Sequence, residues 1–485
     1  MNQPILKGGL ETDALKFLTD NDIAAIHRAS MKVLANTGFQ LDHTGLLERF
    51  QGQGVRVDMT NRRVFFDEDT IMAAVKTNPD TVTLCGRDDP ERDIVLGGKR
   101  VYLGTGGTAV NVIDLSRVRR KTQAKDIAAT ARLVDALDNI HFFIIPCHPG
   151  DSSPENVDVN RFFNAMNNTT KPIMGGCLSL DGLERILRMA ATVAGGQRRL
   201  EARPFIAFIS SVVSPLTMDN QHAAMTVKAA EAGIPMAFSI APIAGATAPI
   251  TLAGTLTQMN AEALAAITVA QTVRPGTPSL YSAVPTVMDM RSASFLFGSV
   301  ETGIMNAAAA QMAQFYGLPL YSTGGISDSK QPDQQAGYEK AFTAIMPALA
   351  GANFIHEAAG QLDSGMTISY AQYVIDNDIN GCVMRSVRGL EVDEDALATE
   401  VINAVGPGGN YLGDMHTARR ARTELYYPKA ATRTAYDGWV ASGSKDTWTR
   451  AEEVAAKLLD IHKTHGIAPE IIDRILESEP GIIQG

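Results

Sequence analysis

Two short stretches of this chain place residues capable of chemistry at the ends of apolar runs. Leu318–Tyr321 stops at Ser322-Thr323-Gly324-Gly325, and Asn353–His356 stops at His356-Glu357. Between them lie a polar loop, Gly324–Asp333, and a segment with helical spacing, so the unit reads strand–loop–helix–strand. In parallel α/β folds, polar residues at this end of a strand build the site. Alternation puts Phe354 and His356 on one face of the strand and Glu357 on the other. His356 can hydrogen-bond a ligand or sit as a satisfied histidine in the upper layer of the core. Glu357 can balance a substrate cation or form a structural salt bridge. Gly324 and Gly325 permit close backbone approach or positive φ. Asp328 and Lys330 are loop charges that suit either gating or plain solvation.

The other strand ends are mild: Cys147-His148-Pro149, Gly176-Cys177, Ser210-Ser211, Ala241-Pro242 and Ala283-Val284-Pro285. They hold no carboxylate pair for glycoside hydrolysis, no acidic cluster for Mg²⁺ beside a phosphate and no G-x-S-x-G elbow. Cys147, His148 and Cys177 lack the recognisable spacing of the three or four protein ligands that a zinc site requires, so no metal is expected. Aromatic residues near strand ends are Tyr102, Phe208, Phe238, Tyr281, Tyr321 and Phe354. Each can pack in the core, or present a ring face to a quaternary ammonium for roughly 0.5–2 kcal/mol per contact.

The elements that would position these residues recur with a regular rhythm. Apolar runs at His141–Ile145, Ile173–Cys177, Phe205–Ser210, Met236–Ile240, Ser279–Ala283, Leu318–Tyr321 and Asn353–His356 alternate with helical segments. Examples of the latter are Asp181–Ala194, Asn220–Ala232, Thr255–Thr272, Ser292–Tyr316 and Gln334–Ala350. Several runs are entered through a proline, which ends the preceding helix and starts an extended segment. Continuous apolar strands covered by helices describe a parallel sheet buried on both faces. With an eighth strand taken from Thr108–Ile113, the pattern predicts an α/β fold, a TIM (β/α)8 barrel, over residues 101–367. Gly104-Thr105-Gly106-Gly107 reads as part of a hairpin.

Residues 1–100 read as an N-terminal helical and irregular cap, with helices starting at Thr19 or Asp20 and spanning Glu68–Thr77. Residues 368–485 read as a C-terminal helical extension packed on the barrel, ending in the amphipathic segment Thr449–His462.

A formal charge of −10 without a lysine or arginine track argues against nucleic acid as a partner. No run approaches the roughly 18 apolar residues of a membrane helix, and no secretory leader opens the chain. Four cysteines without a C-x-x-C pair read as reduced thiols, and the expected location is cytoplasmic. Alanine-rich helices such as Ala307–Gln314 suit tight packing within the barrel or between subunits, and a homo-oligomer is expected.

The stretch Leu318–Gly365, together with Gly406-Pro407-Gly408-Gly409-Asn410-Tyr411-Leu412 running into His416-Thr417, resembles the trimethylamine methyltransferase family. The likeness is to the branch lacking pyrrolysine, which includes glycine betaine methyltransferase, and extends from about Leu18 to about Trp439. It implies a TIM barrel that passes a methyl group from a methylated amine to the corrinoid (cobalamin) of a separate corrinoid protein. Members specific for trimethylamine carry pyrrolysine in the loop corresponding to Gly324–Asp333, where this chain has only standard residues, so a small quaternary amine is the implied substrate. On that reading His356 and Glu357 are the catalytic candidates. Tyr102, Phe208, Tyr281, Tyr321 and Phe354 are the substrate-binding candidates, and Gly324, Gly325, Asp328 and Lys330 form a corrinoid-facing loop.

A mild rim suits this reaction, because the leaving group departs as a neutral tertiary amine and needs no general acid. Asp414-Met415-His416-Thr417-Ala418-Arg419 begins like the D-x-H-x-x-G signature of corrinoid-binding domains but ends in arginine, so the chain is not expected to hold a corrinoid stably. A tertiary amine as substrate, or a non-catalytic betaine-binding protein, are the alternative readings.

Overall fold

The computed structural model describes residues 9–485; the first eight residues of the N-terminal cap expected at 1–100 lie outside the described residues. The chain forms a TIM barrel. Its strands are β1 (Arg100–Leu103), β2 (Phe143–Ile144), β3 (Ile173–Gly176), β4 (Ile206–Val212), β5 (Met236–Ile240), β6 (Tyr281–Ala283), β7 (Leu320–Thr323) and β8 (Phe354–His356). Neighbours pair in parallel throughout, and β8 pairs back onto β1. Single parallel bridges, Gly104 with Phe142 and Met236 with Ser279, close the remaining β1–β2 and β5–β6 seams.

One helix follows each strand: α1 (Ala124–Asp135), α2 (Val157–Asn168), α3 (Leu180–Ala194), α4 (Asn220–Glu231), α5 (Leu252–Val273), α6 (Val300–Tyr316), α7 (Gln334–Leu349) and α8 (Tyr370–Arg388). Their starts are written locally. Ser179, Asp219, Ser299, Asp333 and Ser369 each accept a first-turn N–H into their side chain at the starts of α3, α4, α6, α7 and α8. Gly195 and Gly317 end α3 and α6 in left-handed conformation. α5 is buried nearly all round because the helices Asp20–Asn36 and Glu68–Thr77 pack on its outer face, which accounts for its alanine content.

Three expectations need correction. The eighth barrel strand is Arg100–Leu103, so Gly104–Gly107 sits at a strand end, not in a hairpin. Asn111–Ile113 belongs instead to a four-stranded sheet with Arg119–Lys121, Thr367–Ser369 and Gln361–Leu362. The N-terminal hundred residues also hold strands as well as helices. Phe39–Leu41, Arg56–Asp58 and Arg63–Phe65 pair as a small sheet, and Val82–Leu84 with Ile94–Leu96 forms a hairpin. Finally, Ser294–Leu296 returns antiparallel to Thr286–Asp289, so α6 begins only at Val300.

The hairpin seals the N-terminal end of the barrel. Val82, Leu84, Ile94 and Leu96 pack with the inward-facing Tyr102, Phe142, Ile144, Met174, Ala207, Ala237, Leu280, Tyr321 and Phe354. The outward-facing residues of the same strands join a separate cluster with the helices. Among the described residues no helix is long and apolar enough to cross a membrane. Helix Thr447–Ile461 packs on α8 and α1 through Ala451 and Ala455, and the extension does not end there as expected, because a further helix spans Pro469–Ser478.

His141 joins β1 to β2 at the sealed end. The Leu103 carbonyl receives the His141 backbone N–H at 2.7 Å, and the ring Nδ1 lies 3.0 Å from the Leu103 nitrogen and 3.2 Å from its oxygen. Burial, helped by the Lys171 charge, lowers this imidazole to about 3. Burial and Arg161 lower His148 to about 4. Both values lie below the unfolded value near 6.5, so the unfolded chain binds more protons between them, and stability must fall as pH drops from about 6.5 toward 4. His141→Gln should flatten that slope by up to about 1.4 kcal/mol per pH unit, read from urea denaturation at stepped pH.

Candidate active site at the barrel mouth

The C-terminal ends of the strands carry a set of buried polar atoms with no hydrogen-bond partner. They include Thr286 Oγ1, Thr323 Oγ1, both ring nitrogens of His356, Glu357 Oε2 and both amide atoms of Gln361. Buried polar groups are ordinarily paired, so such a concentration at one end of a barrel marks a place prepared for a ligand.

His356 closes β8, in register with Thr323 of β7, and its ring stacks on Tyr321 at 4.3 Å between centroids and 16°. Tyr321 in turn lies 5.8 Å from Phe354, which stacks on Phe142 at 3.5 Å. A column of rings thus rises through the barrel and ends in His356. Burial and then the nearby Glu357 charge push the Tyr321 phenol well above its usual value, so it stays neutral.

Glu357 overturns the alternation expected from sequence. Its backbone adopts φ +67°, and the carboxylate returns to the same side as His356, 3.5 Å from Nδ1. There it fills the space above Gly106: a Cβ on that glycine would lie 2.0 Å from the carboxylate. Gly104 makes the same allowance for the Phe142 ring one layer down. The pair Gly104-x-Gly106 was the sequence signal for this arrangement, obscured by its reading as a hairpin.

Other expected residues lie elsewhere. Tyr102 points into the barrel but toward the sealed end, where its hydroxyl accepts from Val95 N–H at 3.4 Å and its ring meets His141. Phe208 faces the helix layer. Tyr281 does too, donating its hydroxyl to Asn260 Oδ1 of α5 at 2.8 Å. None of the three reaches the mouth, so of the five aromatic candidates only Tyr321 and Phe354 belong to the column. The reason is register, since alternate residues of a parallel strand face opposite layers that are equally apolar.

The loop candidates are also redistributed. Gly324 and Gly325 are buried, and a Cβ would meet Thr343 O of α7 or Ala358 Cα. Asp328 works as an internal tie, accepting from Phe297 N–H, Gly298 N–H and Ser364 Oγ at 2.9, 2.9 and 2.6 Å. Lys330 is exposed and pairs with Asp363 at 3.4 Å. With Ser294, Phe295 and Gln331 it lines an open cavity of about 470 Å³ between this loop and the Thr286–Leu296 hairpin.

Behind the site lies an ion pair that the sequence did not reveal. Lys340 of α7 and Asp376 of α8 meet at 3.0 Å, both essentially inaccessible. Lys340 Nζ donates to Gly325 O at 2.7 Å, while Asp376 accepts from Gly360 N–H at 2.6 Å and Gln372 Nε2 at 2.8 Å. Burial lifts the Asp376 carboxyl and the lysine charge opposes that shift. The pair therefore anchors both segments that leave β7 and β8. Cys147 and Cys177 are buried thiols pushed upward by desolvation. No group of three or more His, Cys, Asp or Glu among the described residues is arranged to hold a metal ion.

Comparison with known proteins places these features in context. The trimethylamine methyltransferase family model matches residues 4–477. A trimethylamine methyltransferase of Desulfitobacterium hafniense is 37% identical over 97% of this chain and 94% of its own length. The glycine betaine methyltransferase of another D. hafniense strain is 33% identical, covering 94% of each chain. The crystal structure of the Methanosarcina barkeri monomethylamine methyltransferase superposes with a TM-score of 0.55 at 13% identity, over 93% of this chain and 89% of that one, a likeness of fold.

Lys340→Met leaves a buried carboxylate without its cation and should cost about 3–5 kcal/mol in urea denaturation. The double variant Lys340→Met/Asp376→Leu should recover most of that loss, because neither charge then remains buried alone.

Proposed function

The chain belongs to the trimethylamine methyltransferase family, and from that premise we propose that it demethylates a small quaternary amine of the glycine betaine type. The methyl group passes to the Co(I) of a corrinoid held by a separate protein. That corrinoid supplies the nucleophile, whose electron pair forms the bond to carbon while the C–N pair stays on nitrogen. The amine leaves neutral, and no proton changes hands.

The observation that carries this reading is the ring column ending in His356 beside the Glu357 carboxylate, whose Oε2 has no hydrogen-bond partner. A quaternary ammonium donates no hydrogen bond, so it is recognised by ring faces and by a counter-charge in a dry setting. His356 offers the face at the top of the column, with Tyr321 stacked beneath it, and Glu357 offers the charge. The neutral phenol of Tyr321 adds no second negative charge to compete. These residues desolvate and orient the cation, which is what a methyl transfer to a strong nucleophile demands of a protein.

The Gly324–Asp333 loop contains only standard residues. By the resemblance, trimethylamine-specific members carry pyrrolysine there, which favours a quaternary substrate. The D. hafniense relative at 37% identity, named for trimethylamine, favours the second reading, a tertiary amine.

The test mixes the protein with chemically reduced cob(I)alamin and glycine betaine, choline, carnitine, proline betaine or trimethylamine, and follows the Co(I) absorbance. Loss of that absorbance with a quaternary amine is the expected outcome; loss with trimethylamine alone supports the tertiary reading. Silence alongside calorimetric betaine binding describes a binding protein. Glu357→Gln, nearly isosteric, should lower kcat/KM for the transferred amine by about tenfold or more, measured in the same assay.

A further inference from the structure

Beyond α8 the chain builds a lobe that has no interior of its own. Residues 389–445 hold the helices Glu394–Leu397, Thr399–Val405, Met415–Glu424 and Tyr436–Ala441, and none of the four buries a residue. Across the whole stretch only Ala430 is buried. Leu390, Val392, Leu412, Met415, Tyr427 and Tyr436 are instead 61–91% exposed. Helices this short are marginal in water unless they pack on something. Ion pairs tie the lobe to itself, Arg420 meeting Glu391 at 2.8 Å and Arg419 meeting Asp395 at 3.2 Å. Exposed pairs of that kind contribute little. Apolar exposure so concentrated marks an interface with another protein.

The lobe stands at the sealed end of the barrel. α8 begins beside the mouth, where Ser369 N–H meets Gly360 O, and runs to Arg388 at the opposite end. Arg385, in its last turn, clasps the lobe by donating to Gly389 O and Glu424 O at 2.8 Å each. Tyr426 accepts from Asn139 at 3.1 Å and Lys429 pairs with Asp138 at 3.2 Å, both in the link from α1 to β2. A corrinoid protein serving the mouth works at the other end, so this face is left to a different partner.

The charge pattern selects that partner. Residues 389–414 hold six Asp or Glu and no Lys or Arg, whereas residues 415–445 hold six Lys or Arg against two acids. Two chains of formal charge −10 repel overall. A two-fold contact reverses this locally, because it lays the acidic half of one lobe on the basic half of the other, twice over. Glu394, Glu400 and Arg433 are exposed and stand outside the two ion pairs above.

We propose that residues 389–445 are the contact face of a two-fold dimer, lobe against lobe, with a second copy of this chain. The apolar side chains form the dry centre of the contact and the charges form its rim. Both barrel mouths stay open, away from the contact.

Sedimentation velocity of the full chain at micromolar concentration should show twice the mass of one chain. Leu390→Asp/Leu412→Asp should weaken the association by about tenfold or more while the far-ultraviolet dichroism is unchanged. Charge reversal tests the pairing. Glu394→Lys/Glu400→Lys and Arg433→Glu should each weaken self-association, and an equimolar mixture of the two should restore dimers, because each altered half then meets its opposite. These reversals stand in if the aspartate variant fails to fold. A monomeric wild-type chain overturns the proposal, including one that grows in mass only when a corrinoid protein is added. So does a folded Leu390→Asp/Leu412→Asp with the wild-type mass, and so do charge-reversed chains that self-associate as well as they pair with each other. An assembly larger than two that the aspartate variant halves contains the two-fold contact and supports the proposal.

Discussion

The mouth of this barrel depends on one buried contact, between Lys340 and Asp376. The segments that leave β7 and β8 must hold His356 and Glu357 in fixed geometry, and helix side chains such as Thr343 and Asn380 also tie them down. Lys340 reaches Gly325 O and Asp376 reaches Gly360 N–H, so a single ion pair grips both segments from the helix side. Taking two charges out of water is expensive, and the interaction holds because each charge is also met by backbone and amide groups. Polar side chains at the front are thereby left free of structural duty. Their partners are absent because the work of positioning is done behind them.

Above the sealed end the barrel changes character within two layers of side chains. Phe142, Phe354 and Tyr321 fill the lumen with stacked rings, and the next layer is His356, Thr323 and Glu357. Glycines at positions 104 and 106 make this possible, because any side chain there would occupy the place of Phe142 or of the Glu357 carboxylate. A charged group is thus set directly over an aromatic floor in a region of low polarity. Electrostatic forces in such a region are several times stronger than in water.

Much of this arrangement could be read from the sequence, and the failures share a physical origin. Barrel strands β2 to β8 and helices α3, α4, α5 and α7 emerge within a few residues of their expected spans, because proline entry, capping residues and apolar periodicity are local signals. Alternation put Phe354 and His356 on one face of their strand. The same rule cannot tell which face of a buried parallel strand is the lumen, since both are apolar, and so Phe208 and Tyr281 were placed in the site when they face helices. β1 escaped notice because it opens with Arg100. Lys340 sits on the helix that follows β7, 15 residues from the Gly325 carbonyl it holds. No spacing rule connects a helix residue to a carbonyl at the end of a strand.

The left-handed backbone at Glu357 bears on how this protein drifts over generations. A residue with a Cβ pays on the order of 1 kcal/mol to adopt φ +67°, a conformation that glycine enters freely. Mutation toward glycine at this position is therefore downhill in folding energy. The carboxylate persists only while something other than stability rewards it. In a descendant released from that demand, position 357 would be among the first places to relax, and the barrel beneath it would be the firmer for the loss.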